Sequence, residues 1–264
     1  GISVFIDVIS ALVCIIKIKN MKRIITTAVS AFIAILTLTL QGCIMSQTLP
    51  KMDYSAHYDV NSFEAINIGG AFEIRFVESD SNYVNIVSDV DLTDILYVGV
   101  EQNTLNIHPK KDYRGNDEDI VVTIGAHTLS AISLSGANKL TECNIENDKD
   151  VRISLSGAST ILASITCNSL EIVGNGATDI IGTFNSRTNA DFIFSGASKA
   201  NMEVNADDIT LKCSGAVTCN ATVNANRLTS NSNGACTMTL RGQCTESNIN
   251  SSGACTIHTE ELRR

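Results

Sequence analysis

Between Ala200 and Ala206 every second residue is apolar: Ala200, Met202, Val204 and Ala206 alternate with Asn201, Glu203 and Asn205. The alternation returns at Cys219, Ala221, Val223 and Ala225. A period of two sends successive side chains to opposite faces, the mark of a half-buried strand. The chain upstream reads the same way. "FEAINI", "AFEIRFVES", "YVNIVS", "LYVGV", "TLNIHP" and "IVVTIGAHTLSAISLSGA" are short runs separated by Gly-Gly or by polar residues. Glu101, Gln102 and Asn103 lie between two alternating runs and predict a hairpin or a coil turn. The charged stretch "KKDYRGNDED" predicts a loop. From residue 58 onward the pattern is all-β.

A second, longer period lies over the first. Gly136, Gly157, Gly176, Gly196, Gly215, Gly234 and Gly253 each stand in a small-Gly-Ala motif, at spacings of 21, 19, 20, 19, 19 and 19 residues. A fixed period of this size marks a solenoid. Strands rise about 3.3 Å per residue, so each period holds two or three short strands and forms one coil of a parallel β-helix. Leucine-rich repeats share the period, but their recurring Leu positions are missing. The seven glycines are then structural corners, because glycine tolerates the positive φ of a sharp turn. The preceding column is Ser135, Ser156, Asn175, Ser195, Ser214, Asn233 and Ser252, small polar groups able to hydrogen-bond from coil to coil.

The amino-terminal stretch follows different rules. Lys22 and Arg23 precede an apolar run from Ile24 to Leu40, and small or polar residues follow. That is the layout of a secretory leader. The ending Leu40-Gln41-Gly42-Cys43 resembles the lipobox of bacterial lipoproteins, in which the cysteine is acylated and becomes the first mature residue. Residues 1–20 are expected to be an over-extended start, 21–42 the leader, 43–57 a tether and 58–264 the β-helix domain, with regular coils from about residue 125.

Composition narrows the function. The net charge of −9 and the absence of tryptophan oppose nucleic-acid binding, which needs a basic face and stacking platforms. Nine cysteines occur; beyond Cys14 and Cys43 they are Cys143, Cys167, Cys213, Cys219, Cys236, Cys244 and Cys255. An odd number leaves at least one thiol free. Cys167 and Cys244 share a column with Ala206 and Ala225 and read as small core residues. Cys236 and Cys255 stack one coil apart and allow either a bridge or two thiols; export favours the bridge, and parallel side chains favour the thiols. No metal, cofactor or catalytic motif is found: there is no CxxC, no HExxH and no phosphate loop. His258, Glu260 and Glu261 read as a polar cap on the last coil. Asp207 and Asp208 lie between Arg187 and Thr188 on one side and Asn226 and Arg227 on the other, which reads as a solvated face. No groove of clustered carboxylates is expected.

The segments "SFEAINIGGAFEIRFVES", "YVNIV", "LYVGVEQNTLNI", "DIVVTIG" and "LSAISLSGANKLT", in that order, resemble the auto-transporter adhesin family with the head GIN domain, found as exported or lipid-anchored proteins of Bacteroidetes-type bacteria. The resemblance covers roughly Val60 to Arg264. It implies a right-handed, single-stranded parallel β-helix and supplies no catalytic residues. The expectation is a non-enzymatic envelope protein, lipid-anchored at the outer membrane through Cys43, with an adhesin-like or structural role and an unidentified glycan or protein ligand. The alternative is a carbohydrate-active enzyme, a polysaccharide lyase or hydrolase, on the same scaffold.

Overall fold

The computed structural model describes residues 54–92, 94–110 and 120–263. Cys43, the leader and most of the tether lie outside the described residues. Among the described residues there are eighteen strands and no helix.

The regular part is a two-sided coil. β8 (Ala131–Gly136) runs into the Gly136 corner, and β9 (Lys139–Glu146) returns on the other side. β10 (Val151–Gly157) and β11 (Thr160–Cys167) repeat this, as do β12 (Leu170–Gly176) with β13 (Asp179–Ser186). β14 (Asn189–Gly196) then leads into β15 (Lys199–Gly215), β16 (Thr218–Gly234) and β17 (Thr237–Gly253), each a 17-residue strand that bends across the far corner. β18 (Thr256–Arg263) ends the described chain. Every strand pairs in parallel with the strand one coil away, and the corners stay in register: Gly157 faces Gly176, Gly176 faces Gly196 and Gly215 faces Gly234. The stack makes a β-solenoid of about seven turns.

Gly215 shows why the corner residue is glycine. Its φ is +96°, and a Cβ there would sit 2.6 Å from the carbonyl oxygen of Gly196. Backbone crowds it on the side a side chain would need, and the φ itself disfavours an L-residue. The residue two positions on closes the turn. Asn138, Ser159 and Ser198 each donate to the carbonyl three residues back, at 2.7, 3.0 and 3.0 Å. Cys236 and Cys255 occupy the same column and donate their thiols to Asn233 and Ser252 at 3.5 and 3.1 Å. All seven described cysteines are free thiols.

Upstream, chain order and spatial order part company. β2 (Ala65–Gly70) and β3 (Glu73–Glu78) form a coil of the same kind, with Gly70 in register with Gly136. The chain then leaves the stack. β5 (Leu96–Glu101) and β6 (Thr104–Pro109) make an antiparallel hairpin whose two loop residues, Gln102 and Asn103, have φ of +49° and +63°. Two consecutive left-handed residues are what a tight hairpin of the right twist demands. β6 and β7 (Ile120–Ala126) slide under the first coil, in parallel with β2 and β3. The β2–β3 coil is therefore sandwiched between strands that come later in the chain.

β4 (Tyr83–Ser88) lies antiparallel on β7, and β1 (Tyr54–Asp59) lies antiparallel on β4. These strands, with β5, close the amino-terminal end. The expected tether is shorter at its carboxyl end, since Tyr54–His57 belong to β1. Its pattern escaped notice because a capping strand buries little: Ala56 and Tyr58 are its only half-buried positions. One continuous core of Ile, Leu, Val and Phe fills the solenoid, with Phe184, Phe192 and Phe194 packed together in the middle coils.

Candidate functional site

The corner opposite the glycines is polar and carries the concave surface. Here four separate segments converge on a cleft of about 630 Å³. The turn before β2 supplies Glu64, the β5–β6 hairpin supplies Asn103, and the link from β7 to β8 supplies His127. The turn between β9 and β10 supplies Asn147, Asp148 and Lys149. The local frame is fixed by Asn147. Its amide donates to Thr128 Oγ1 and to the Leu129 carbonyl, and its oxygen accepts from the Lys149 backbone.

Four carboxylates line this cleft: Glu64, Glu78, Glu146 and Asp148. The expectation of no such groove is thereby corrected. They come from segments far apart in sequence, so no local motif announces them. Two of them are held by cations: Lys149 Nζ lies 2.8 Å from Glu64 Oε1, and Arg187 pairs with Asp148. Among the described residues, no group of three or more His, Cys, Asp or Glu is placed to hold a metal.

Thr166 and Arg187 line this cleft and also a second depression of about 450 Å³, so the two are continuous. The second follows the polar corner across the coils. One wall is the column Thr166, Asn185, Asn205, Asn224 and Gln243, aligned residue by residue through the pairing of successive strands. Asn185 Nδ2 reaches Thr166 Oγ1 at 3.4 Å, Asn205 Nδ2 reaches Asn185 Oδ1 at 2.9 Å, and Gln243 Nε2 reaches Asn224 Oδ1 at 2.9 Å. The other wall holds Arg187, Asp207, Asn226 and Thr245, and the floor is made of small residues such as Ser186, Ala206 and Ala225. Asp207 accepts from Asn226 at 3.0 Å, and Asp208 is gripped by the Arg227 fork at 2.9 and 3.3 Å. The aspartates are thus engaged by their neighbours in the next coil.

The remaining chemical groups stand apart. Burial pushes the Cys143 thiol up to about 12 and the Cys167 thiol up to about 11, so neither holds a thiolate at neutral pH. His258 and Glu260 are exposed on the last coil, 3.5 Å apart. At the capped end, His57 sits between Asn85 Oδ1 at 2.6 Å and Asp59 Oδ1 at 3.2 Å. The bond to Asn85 first, then that to Asp59, holds its pKa above the ordinary value.

The family profile described as "Putative auto-transporter adhesin, head GIN domain" matches residues 62–203 and 188–264. Three solved structures are similar in fold. The first is described as a putative adhesin from Bacteroides fragilis, with a TM-score of 0.66 and 20% identity, over 80% of this chain and 96% of that one. Two come from Parabacteroides distasonis, each also over 80% of this chain and 96% of that one. One is described as a putative lipid binding protein, with a TM-score of 0.58 and 16% identity. The other is described as a putative adhesin, with a TM-score of 0.55 and 15% identity. No curated protein matches the sequence.

Proposed function

The chain belongs to the auto-transporter adhesin, head GIN domain family, and from that premise we propose that it is a ligand-binding, adhesin-like protein of the bacterial envelope, held at the outer membrane by an acylated Cys43. The observation that carries this reading is the polar corner. A cleft of about 630 Å³ opens into a groove that follows the stacked coils, and hydrogen-bonding side chains line both. Rigid strands set these side chains at fixed intervals, as a binding surface requires. The anchor rests on the sequence before Cys43: two basic residues, an apolar run and Leu-Gln-Gly-Cys. The lipid-binding description belongs to the Parabacteroides neighbour. Here the interior is filled by side chains, and the concave surface is polar.

The enzymatic alternative, a lyase or hydrolase, is less well supported. Such chemistry needs an acid and a base placed on either side of a scissile bond. Glu64 and Asp148 in the cleft are instead committed to Lys149 and Arg187. A screen of residues 50–264 against glycan and envelope-protein panels tests the proposal. Saturable binding to a panel member supports it. Turnover of a polysaccharide by the pure protein would replace it with the enzyme reading.

A further inference from the structure

We propose that the groove along the polar corner holds a linear, uncharged polysaccharide lying parallel to the solenoid axis, one sugar unit per coil. This deepens the adhesin reading and rests on it.

The column Thr166, Asn185, Asn205, Asn224 and Gln243 advances one coil per residue. Paired strands lie about 4.8 Å apart, so the amides recur at that interval. A primary amide has two N–H donors and an oxygen with two lone pairs. Where the ladder forms, it takes one donor from the upper amide and one lone pair from the lower. A donor and an acceptor site per amide are left for the groove. Sugar hydroxyls are donor and acceptor at once, so a chain of them complements such a row.

Spacing and charge choose among polymers. An extended peptide advances about 3.3 Å per residue and falls out of step with the coils. A pyranose unit in an extended chain advances about as far as one coil. Among the described residues, the cation lining the groove is Arg187, which is turned to Asp148. With a net charge of −9 on the whole chain, an acidic polymer finds no counter-charge. No aromatic side chain lines the groove. Affinity therefore builds from many small hydrogen-bond gains, and it depends on ligand length.

The test uses residues 50–264, which form one compact unit with their own core. Neutral gluco- and manno-oligosaccharides of increasing length are titrated calorimetrically. The expected result is affinity that climbs with each added sugar and levels off near the five coils of the amide column. The double variant Asn205→Ala, Asn224→Ala is expected to weaken the longest ligand by about tenfold or more, two hydrogen-bonding partners being lost. Asp207→Lys, an exposed change on the opposite wall, lays a long chain across the groove without touching the ladder and gives the same loss in a fully folded protein. Binding that is independent of length, or unchanged in both variants, overturns the groove. If Lys149→Ala in the cleft abolishes binding while the groove variants keep it, the ligand sits in the cleft and only the adhesin reading survives. If no oligosaccharide binds but an envelope protein does, the polysaccharide is wrong and the adhesin reading again stands. Failure of every glycan and protein ligand removes both.

Discussion

The coils from Ala131 to Gly253 and the segment from Tyr54 to Ala126 share one core but are assembled by opposite rules. In the later coils each strand's neighbour in space is its neighbour in the repeat, and pairing is entirely parallel. In the earlier segment the first coil is flanked by strands that arrive some forty residues later, and antiparallel strands close the end. The cores differ as well. The early segment buries Ile66, Ile68, Phe72, Ile74, Phe76 and Ile124, whereas the late coils bury Cys213, Cys219, Ala221, Ser230, Ser232 and Cys236. A regular stack can use small residues because each coil adds the same backbone ladder and the same corner bonds. A cap must join strands of different direction, and large apolar side chains fill the less regular space.

The largest expected effect lies in that difference of cores. Ile124 is fully buried, and Ile124→Ala should cost about 3 kcal/mol by transfer and cavity. Cys219 is equally buried but small, and Cys219→Ala should cost only about 1 kcal/mol. Urea unfolding of both reads the contrast. Equal losses would show that the late coils depend on side-chain packing as much as the cap does.

The corners give the next effect. Gly215→Val drives a side chain into the Gly196 backbone at positive φ and should destabilise by about 2 to 3 kcal/mol. A Cβ at Gly70 meets the Phe72 ring at 2.6 Å, a side chain that can shift, so Gly70→Ala should cost about 1 kcal/mol. If Gly215→Val melts with its parent, the corner is not the constraint described.

A smaller effect separates the coil interior from its last turn. Cys255 is half-buried, while Cys143 and Cys167 are sealed in and protonated. An alkylating reagent should label Cys255 in the native protein and reach the other two only on unfolding. The same digest, alkylated without reduction, reads the Cys236–Cys255 pair. A linked peptide would displace the two thiols.

The smallest effect is at the cap. His57 is raised, so its bonds to Asn85 and Asp59 contribute fully below the unfolded value, near 6.5. The contribution fades as pH rises through the higher folded value. Amide exchange in β1 should therefore quicken from pH 6 toward pH 8 relative to β16. A flat profile would detach β1 from that histidine.

Much of this molecule could be read from the chain. The period of 19 to 21 residues gave the coil length, and the alternation within it gave the strands. The eighth corner, Gly69-Gly70-Ala71, shares the motif but stands 66 residues before Gly136, so the spacing did not reveal it. The amide column from Thr166 to Gln243 was available from the same period, one position before the Cys167 and Ala206 column. It went unread because single asparagines look like turn residues until they are stacked.

The sequence alone determined what is local or periodic: strands from alternation, corners from glycine, and the amide ladder from a repeat that puts like over like. Only the tertiary structure decided the order of the first coils, the antiparallel cap, and the cleft where Glu64, Asn103, His127 and Lys149 meet. The reason is one of distance along the chain. A residue's repeat partner lies one coil on, and a fixed count finds it. Strands that cross back under the first coil are selected by the free edges and apolar surface they cover, and no count along the chain encodes that choice.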